Sequence, residues 1–291
     1  MRVLITGSGG QLGRDCAELL AEAHTVLGLP SARLDITSRD QVRTVLQDFR
    51  PETLINCAAY TAVDRCESEQ ERCMAVNGAG PGILAAECAL ISCRMIHIST
   101  DYVFNGRRPV PKPWHEDDPV EPLSAYGRSK LAGEEAVRQR LQDHLIIRTA
   151  WLYGLHGPNF LKTMLRLALS DPGRTLRVVD DQHGALTWSR RLAKQITLLL
   201  DSEISGTIHA TAAGHCSWYE GARCFLEAMQ VPFSIQPCDS SEYPTPAHRP
   251  RNSILANTRL QKAGLDRMVA WDEDVVRFAQ RHRDRLLAEA R

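Results

Sequence analysis

A tyrosine and a lysine lie four residues apart in the segment SAYGRSK, at Tyr126 and Lys130. On a helix this spacing places both side chains on one face, about one turn apart. A phenol is a poor acid at neutral pH because its pKa is about 10, but a nearby ammonium group favours the phenolate and lowers that value. Such a phenol can protonate a carbonyl oxygen during reduction. On its own, however, the pair also fits an ordinary helix surface.

A hydroxyl group is expected to join this pair from a neighbouring strand. The segment Ser99-Thr100-Asp101-Tyr102 follows a run of apolar and β-branched residues that predicts a buried strand. In a parallel sheet the side chains at carboxyl ends of strands face the ligand crevice. We therefore predict that Thr100, Tyr126 and Lys130 form the catalytic group.

A glycine-rich loop between a predicted strand and a predicted helix supplies a cofactor site. The segment GSGGQLG has glycines at Gly7, Gly10 and Gly13. Residues without a Cβ allow a tight turn and a close approach to a pyrophosphate, which then lies at the helix N-terminus. Strand, glycines and helix follow in the order that a dinucleotide site requires.

The end of the second predicted strand favours a phosphorylated cofactor. An NAD site usually has a carboxylate there to bind the ribose hydroxyls, but the segment LGLPSAR has none. Ser31 and Arg33 suit a 2′-phosphate instead, so we predict that NADPH is used at least as well as NADH. Asp35 could accept a hydrogen bond from the adenine amino group, although a role in capping the next helix is a comparable alternative.

The elements that must position these residues alternate between strands and helices. Apolar runs predict strands at residues 2–6, 25–29, 53–57, 94–99 and 145–148, and amphipathic segments predict helices at 11–23, 38–49, 79–93 and 124–141. This alternation is typical of an α/β fold with a doubly wound, Rossmann-type parallel sheet.

The second half of the chain has a different pattern. Helices are predicted at residues 159–170, 189–200, 217–229 and 272–290, with few strand-like runs and a proline-rich loop at 243–250. We predict an NAD(P)-binding domain at residues 1–150, rejoined by later segments, and a smaller, mainly helical substrate-binding domain at 151–291.

Composition argues against several classes of protein. The 35 basic and 35 acidic residues cancel, so the chain lacks the basic surplus of nucleic-acid or acidic-membrane binders. We predict no nucleic acid and no membrane as partners, because no apolar run has membrane-spanning length and the N-terminus lacks a secretory core. The nine cysteines include no C-x-x-C pair, and the histidines have no metal-ligand spacing. A cytoplasmic protein with reduced cysteines and no catalytic metal is expected.

Longer segments narrow the family that the chain resembles. The glycine loop and the Tyr-x-x-x-Lys pair resemble the extended short-chain dehydrogenase/reductase superfamily. Beyond these motifs the chain resembles the dTDP-4-dehydrorhamnose reductase family nearly from end to end, in the segments NCAAYTAVDRCE, HISTDYVFNG, YGRSKLAGE, IIRTAWLYG, NFLKTML, DQHGALT and YPTPAHRPRNS. The resemblance implies NAD(P)H-dependent reduction of the 4-keto group of dTDP-4-dehydro-L-rhamnose.

The resemblance also implies roles for individual residues. Tyr126 would be the proton donor, Lys130 would orient the nicotinamide ribose and tune Tyr126, and Thr100 would bond the sugar oxygen. The other expected cofactor contacts are Gly10, Gln11 and Leu12 at the pyrophosphate, Asp35 and Ile36 at the adenine end, and Ala58, Ala59 and Tyr60 after the third strand. Asp101 and Trp151 would line the sugar site, although Trp151 also fits a domain-interface core. Arg249 could bind the nucleotide diphosphate or be a solvated loop arginine.

Several alternatives stay open. Members of the family carry magnesium at a dimer interface. A non-catalytic magnesium ion near Asp15 and a homodimer are therefore two open alternatives. The acidic segment HEDD at residues 115–118 is expected to be a solvated loop. A non-catalytic homologue, such as the regulatory subunit of methionine adenosyltransferase, and another nucleotide-sugar reductase or epimerase remain rivals. A dehydratase is disfavoured because Tyr102 stands where its second carboxylate would be.

Overall fold

The computed structural model describes residues 1–171 and 173–290. Its first half contains the strands β1 (Arg2–Thr6), β2 (Thr25–Leu29), β3 (Thr53–Asn56), β4 (Arg94–Thr100) and β5 (His144–Thr149). The helices between them are α1 (Gln11–Leu20), α2 (Arg39–Phe49), α3 (Val63–Ser68), α4 (Gln70–Met74), α5 (Gly80–Leu90) and α6 (Ala125–Arg140). A π-helical turn, Ala75–Ala79, joins α4 to α5, and a 3₁₀ turn, Asp101–Val103, follows β4.

The second half contains shorter strands between longer helices. The strands are β6 (Leu152–Tyr153), β7 (Thr175–Val179), β8 (His183–Gly184), β9 (Thr187–Trp188), β10 (Gly206–His209), β11 (Cys216–Ser217) and β12 (Ser234–Cys238). The helices are α7 (Phe160–Ser170), α8 (Ser189–Leu200), α9 (Trp218–Met229), α10 (Thr258–Lys262) and α11 (Trp271–Ala290), and a 3₁₀ turn lies at Ser240–Glu242.

A parallel sheet of six strands organises the first half. Its order is β10-β5-β4-β3-β1-β2, and each neighbouring pair is parallel. The chain passes from β1 to β2 on one side and then crosses to β3 on the other side of β1. This reversal creates the crevice at the carboxyl ends of β1 and β3 where ligands bind in such sheets. The expected fold class, a Rossmann-type α/β sheet, is confirmed.

Helices cover both faces of the sheet. On one face α1 packs against α8, and their buried side chains form a core with β1, β5 and β10. On the other face α2, α5 and α6 enclose a second core with β2, β3 and β4. Because α8 and β10 come from the second half of the chain, segments beyond residue 150 complete the dinucleotide-type sheet.

The remaining part of the second half forms its own core. Helices α7, α9 and α11 pack together around Tyr153, Phe225 and Phe278, and three two-stranded sheets lie beside them. These short strands differ from the sequence prediction of few strand-like runs. Most are two residues long, so they carry no periodicity that a sequence could display.

The structure also shows the surroundings of one long apolar helical stretch and of the cysteines. The continuous helical stretch Gln70–Leu90 has the length and the mean hydropathy, 1.2, of a membrane span, which the sequence analysis did not anticipate. Just over half of its apolar window is buried in the protein, and its Glu87 carboxylate pairs with Arg39 at 2.6 Å. The stretch is thus a core helix of this fold. All nine cysteines are free, and seven of them are buried.

Candidate active site

A cavity of about 1050 Å³ opens at the carboxyl ends of the central strands. Its wall combines the loop after β1, the ends of β2, β3, β4 and β5, the first turns of α6 and α9, and the loop 243–250. The cavity therefore lies between the parallel sheet and the second half of the chain. Its size matches sites that hold a cofactor together with a substrate.

The glycine loop forms one end of this cavity, as a dinucleotide requires. Gly7 has a φ of +68°, and a Cβ there would lie 2.6 Å from the backbone nitrogen of Ala58. A Cβ on Gly13 would lie 2.8 Å from the Cα of Ser8. Gly10 is the N-cap of α1 and has no side chain to satisfy the first amides of that helix. Loop and helix N-terminus thus offer backbone N–H groups to a pyrophosphate, which fits a bound dinucleotide.

The adenine end agrees with the sequence prediction except at one residue. Ser31, Asp35 and Ile36 line the cavity, together with Gln11 and Leu12 from α1. The Asp35 carboxylate accepts hydrogen bonds from the backbone N–H and the hydroxyl of Thr37, at 2.9 and 2.7 Å. It therefore stabilises the turn that leads into α2.

Arg33 is the exception at this end. Its side chain is exposed and does not contribute to the cavity wall. Long cationic side chains on exposed turns reach into solvent unless a partner holds them. The expected contact of Arg33 with a 2′-phosphate thus has no support in this structure.

The strand-three side also departs from the prediction at one residue. Ala58 and Ala59 line the cavity, but Tyr60 does not. The Tyr60 hydroxyl donates to Glu69 at 2.8 Å, and its backbone amide donates to Asn77 at 2.8 Å. These contacts direct the ring towards α4, so the expected cofactor contact of Tyr60 is corrected to a structural role.

Thr100, Tyr126 and Lys130 all line the cavity. Thr100 is the last residue of β4, and the Ser124 hydroxyl caps α6 by accepting from the Gly127 amide at 3.1 Å. The cap fixes the first turn of α6, which carries Tyr126. Lys130 lies one turn further along and is only 2% exposed, with its ammonium donating to the Ile98 carbonyl at 2.7 Å.

Burial and a neighbouring charge shift the pKa of Tyr126 opposite to the sequence-based expectation. Burial and the neighbouring Asp101 carboxylate raise the pKa of Tyr126 above its ordinary value. Burial also lowers the pKa of Lys130 to about 8, against the opposing charge of Glu134. The predicted lowering of the Tyr126 pKa by Lys130 is therefore wrong for the ligand-free protein. A raised pKa keeps the phenol protonated, which is the state a proton donor needs.

Asp101 is a buried acid next to this group. It is 3% exposed, and Thr100 donates its hydroxyl hydrogen to one Asp101 carboxylate oxygen at 3.0 Å. Burial raises the pKa of Asp101 to about 6. The Tyr102 ring meets the Tyr126 ring edge to face, with centroids 5.5 Å apart. Asp101 and Tyr102 thus form the cavity wall next to Tyr126.

A buried ion-pair network connects the strand of Thr100 with the helix of Tyr126, and the sequence analysis did not assign it. Glu134 on α6 accepts two hydrogen bonds from Arg148 on β5, at 2.9 and 2.8 Å, and one from Ser99 on β4, at 2.6 Å. Burial favours the neutral acid, but the hydrogen bonds and charge of Arg148 prevail and lower the pKa of Glu134. The available signal was the spacing of Glu134, four residues after Lys130 in YGRSKLAGE.

Two tryptophans form an aromatic wall opposite the sheet. Trp151, which the resemblance places in the sugar site, and Trp218 both line the cavity. Their rings stack with centroids 3.6 Å apart and planes at 9°. Trp218 was missed in the sequence, where it is only a residue near the start of the helix predicted at 217–229.

Arg249 reaches the cavity from the loop 243–250 and is held there by an acid. Its guanidinium donates to the Asp64 carboxylate at 2.8 Å, and the Ala247 amide donates to the other oxygen at 3.2 Å. Arg249 is therefore an oriented side chain, in contrast to the solvated loop arginine that was the alternative. Arg72, Lys130 and Arg249 are the cations in the described cavity wall.

Asp15, the position considered for magnesium, and its neighbours do not fit that ion. Asp15, Glu18 and His156 bring their ligand atoms within 4.8 Å of one another. However, Ser189 donates to Asp15 at 2.5 Å, and Arg190 lies 3.3 Å from Glu18 and 3.8 Å from Asp15. Because Arg190 already supplies positive charge and burial raises the pKa of Asp15, this set is a poor divalent-cation site.

The segment 115–118 is also more structured than expected. Glu116 is 7% exposed and accepts from the Arg259 amide at 3.0 Å. Asp118 pairs with Arg108 at 2.7 Å, and Asp117 pairs with Arg259 at 2.6 Å. The prediction of a merely solvated loop is corrected, because these acids connect the loop to α10 and to the segment before it.

Comparison with known proteins adds independent information. A family model described as the RmlD substrate binding domain matches residues 1–283. The dTDP-4-dehydrorhamnose reductase of Mycolicibacterium smegmatis is 43% identical over 276 residues, covering 94% of this chain and 83% of that protein. The dTDP-4-keto-6-deoxy-D-glucose reductase of Streptomyces niveus is 41% identical over 273 residues, covering 93% of each.

A solved structure extends the comparison to the fold and the cofactor. The crystal structure of dTDP-4-dehydrorhamnose reductase from Bacillus anthracis in complex with NADP aligns with a TM-score of 0.92 and 37% identity. The alignment covers 96% of this chain and 99% of that one. The similarity therefore spans both the parallel sheet and the second half of the chain.

Proposed function

The chain belongs to the family of the RmlD substrate binding domain, and on this premise we propose that it reduces the 4-keto group of dTDP-4-dehydro-L-rhamnose with NAD(P)H. The observation that carries the proposal is the meeting of Thr100, Tyr126 and Lys130 in one cavity with the glycine loop. When bound, the nicotinamide supplies a hydride to the carbonyl carbon. The residues of this chain must bind both molecules, orient them and provide the proton.

Tyr126 is the proton donor in this proposal. Burial and the Asp101 carboxylate hold the proton on the phenol before the reaction. As negative charge develops on the 4-oxygen, Tyr126 can transfer that proton and become a phenolate. The buried ammonium of Lys130 then stabilises the phenolate, because charges interact more strongly away from bulk water.

Thr100 and Asp101 orient the sugar. In this structure the Thr100 hydroxyl donates to Asp101 at 3.0 Å and its oxygen accepts from the Tyr102 amide at 3.2 Å. These two bonds fix the hydroxyl at the end of β4, where a sugar oxygen would meet it. Trp151 would contact the sugar from the cavity wall. Arg249, oriented by Asp64, is proposed to bind the nucleotide diphosphate, because the planar guanidinium fork matches phosphate oxygens.

We propose NADPH as the preferred reductant. The relative from Bacillus anthracis binds NADP, and Ser31 lines the adenine end of the cavity here. The test compares kcat/KM for NADPH and NADH in the wild type, Ser31→Ala and Arg33→Ala. Loss of NADPH preference in Ser31→Ala but not in Arg33→Ala is expected. A strong preference for NADH in the wild type would refute this assignment.

A second candidate substrate is dTDP-4-keto-6-deoxy-D-glucose, on which the relative from Streptomyces niveus acts by its name. It carries the same 4-keto and 6-methyl groups on a ring of different stereochemistry. Both substrates should be offered separately with NADPH, and the products identified by NMR. We expect dTDP-L-rhamnose to form with the higher kcat/KM, and the opposite order would assign the second activity.

The cavity argues against a purely regulatory homologue. A regulator has no need to keep Thr100, Tyr126 and Lys130 together on the wall of a cofactor cavity. We also propose that the enzyme acts in the cytoplasm on a small sugar nucleotide, without nucleic acid or membrane partners. A homodimer is compatible with this proposal, and sedimentation analysis of the full chain tests it.

A further inference from the structure

We propose that Trp218, together with Trp151, forms an apolar wall that selects sugar nucleotides carrying a methyl group at carbon 6. The inference deepens the proposed function and rests on it, since a 4-keto-6-deoxy sugar is the expected ligand. Trp218 acts in two ways: it contacts the sugar through its exposed ring surface, and it positions Trp151.

The backbone of Trp151 has a conformation that needs support. Its φ is +48°, in the left-handed region that bulky residues rarely adopt. Such conformations cost about 1–3 kcal/mol and persist where the surroundings hold them in place. Strain of this kind is concentrated at functional sites, and Trp151 lies in the cavity wall.

Two neighbours hold the Trp151 indole. One is Gly184, where a Cβ would be 2.6 Å from Cε2 of the indole, so only glycine leaves room for the ring. The other is Trp218, which stacks on the indole with a ring-centroid distance of 3.6 Å. The Trp151 carbonyl also accepts from the Thr187 amide at 3.2 Å. The orientation of Trp151 thus depends on Trp218 as its stacked neighbour.

Trp218 itself is held rigidly. It is the first residue of α9, which the Ser217 hydroxyl caps by accepting from the Glu220 amide at 3.0 Å. Its ring also meets Phe160, with centroids 4.6 Å apart. The indole N–H of Trp218 donates to the Gln182 side chain at 3.2 Å. Because its one polar atom is already bonded, Trp218 presents an apolar surface to the cavity.

The chemistry of the ligand fits this surface. A 6-deoxy sugar carries a methyl group where an ordinary hexose carries a hydroxymethyl group. A methyl group gains by leaving water for an aromatic wall, whereas a hydroxyl placed there would lose its hydrogen bonds to water without finding a partner. The wall therefore favours the 6-deoxy sugar.

The test compares ligands that differ in the presence of the sugar and at its carbon 6. Calorimetry measures the affinity of the full chain, with NADP present, for dTDP, for dTDP-L-rhamnose and for dTDP-L-mannose, which has a hydroxyl on carbon 6. The wild type should bind dTDP-L-rhamnose more tightly than dTDP-L-mannose, and Trp218→Leu should reduce this preference. Trp218→Leu is expected to weaken dTDP-L-rhamnose binding about tenfold while leaving dTDP binding unchanged, because the wall contacts the sugar alone. Trp218→Phe should retain most of the affinity, since it keeps an aromatic face. Trp271→Phe, at the start of α11 and outside the cavity wall, is the matched control and should change none of these affinities.

Circular dichroism supplies a readout that does not depend on ligand. Two stacked indoles produce an exciton couplet in the far ultraviolet, which the wild type should show and both Trp218 variants should lose. A wild type without the couplet would overturn the inference, and so would a Trp218→Leu protein that keeps its affinity for dTDP-L-rhamnose or loses affinity for dTDP equally. A failure of the proposed function is a separate result: the wild type would then turn over no dTDP-linked 4-keto sugar. The NADPH turnover assay distinguishes this result from the binding and circular-dichroism results.

Discussion

At the scale of single residues, the site depends on which groups are buried together. Tyr126 keeps its proton in the ligand-free protein because burial and Asp101 both disfavour the phenolate. Lys130 is nearly inaccessible and donates to the Ile98 carbonyl. In the ligand-free protein, burial and Asp101 outweigh any stabilisation of the phenolate by the Lys130 ammonium.

The buried acid Asp101 makes a pH-dependent prediction for stability. Its pKa is about 6 in the folded chain against 3.8 for the ordinary group. The folded state binds the extra proton between these values, so the stability contributed by Asp101 is present below about pH 4 and is lost as the pH rises through about 6. Asp101→Asn should thus be more stable than the wild type above about pH 6, by about 3 kcal/mol, and similar to it near pH 4.

Urea unfolding of the ligand-free wild type and Asp101→Asn across this pH range measures the difference. Asn can still accept the hydrogen bond from Thr100, so the comparison isolates the charge. A stability difference that does not change between about pH 4 and 7 would show that Asp101 ionises normally.

Local patterns account for what the sequence predicted correctly at this scale. The glycine spacing, the position of Thr100 at a strand end and the pair Tyr126 and Lys130 are all visible in short segments. The raised pKa of Tyr126 was not predictable, because it depends on Asp101 and on burial by distant segments. Tyr60 was misassigned for the same reason, since Glu69 and Asn77 draw it away from the cavity.

At the scale of elements, the ion-pair network of Glu134 connects β4, β5 and α6. Arg148 is 3% exposed, and its loss would leave the Glu134 carboxylate with a weaker set of partners. Arg148→Met should destabilise the protein by about 3 kcal/mol, as expected for an uncompensated buried charge. Arg138→Met is the matched control, because Arg138 pairs with the same carboxylate from a side chain that is 36% exposed.

The control should cost about 1 kcal/mol or less, because solvent screens its charge. Chemical unfolding of both variants at neutral pH provides the measurement. Equal losses for the two variants would contradict the view that Arg148 neutralises Glu134.

Arg249 in the loop 243–250 pairs with Asp64 on α3. Substitutions of these two residues are therefore expected to have coupled effects on the KM for the sugar nucleotide. Arg249→Gln should raise the KM for the sugar nucleotide about tenfold with little change in kcat, because it removes a phosphate contact present in both ground and transition states. Asp64→Asn should raise the same KM in the wild-type background, since it releases the guanidinium.

A double-mutant cycle separates direct from indirect action. In the Arg249→Gln background, Asp64→Asn should have no further effect on KM if it acts through Arg249. Additive effects of the two substitutions would mean that Asp64 affects the site by another route.

Elements were predictable where they are long and regular. The five early strands and the long helices follow from their apolar patterns, and Ser38, Ser124 and Asn159 cap helices at predicted starts. The short helices α3 and α4 and the two-residue strands were not predictable, because tertiary contacts define them. The Trp151 and Trp218 stack joins residues 67 positions apart and leaves no local pattern.

At the scale of the whole molecule, one cavity lies between the core of the parallel sheet and the core of the second half of the chain. The first half supplies the glycine loop and the proposed catalytic residues on β4 and α6, and the second half supplies Trp218 and Arg249. The predicted boundary at residue 150 stays a prediction, but α8 and β10 return to the sheet and carry the chain across both cores. This connection couples the cofactor side to the substrate side, so both molecules are bound by one continuous fold.

The most direct test of the central claim follows NADPH absorbance after dTDP-4-dehydro-L-rhamnose is generated enzymatically in the same cuvette. The wild type should oxidise NADPH, and Tyr126→Phe should do so about 10²- to 10⁴-fold more slowly, the usual contribution of a positioned general acid. Thermal unfolding with and without NADPH checks that the variant still folds and binds cofactor. Wild-type enzyme that leaves NADPH unoxidised, or a Tyr126→Phe variant with an unchanged rate, would contradict the account.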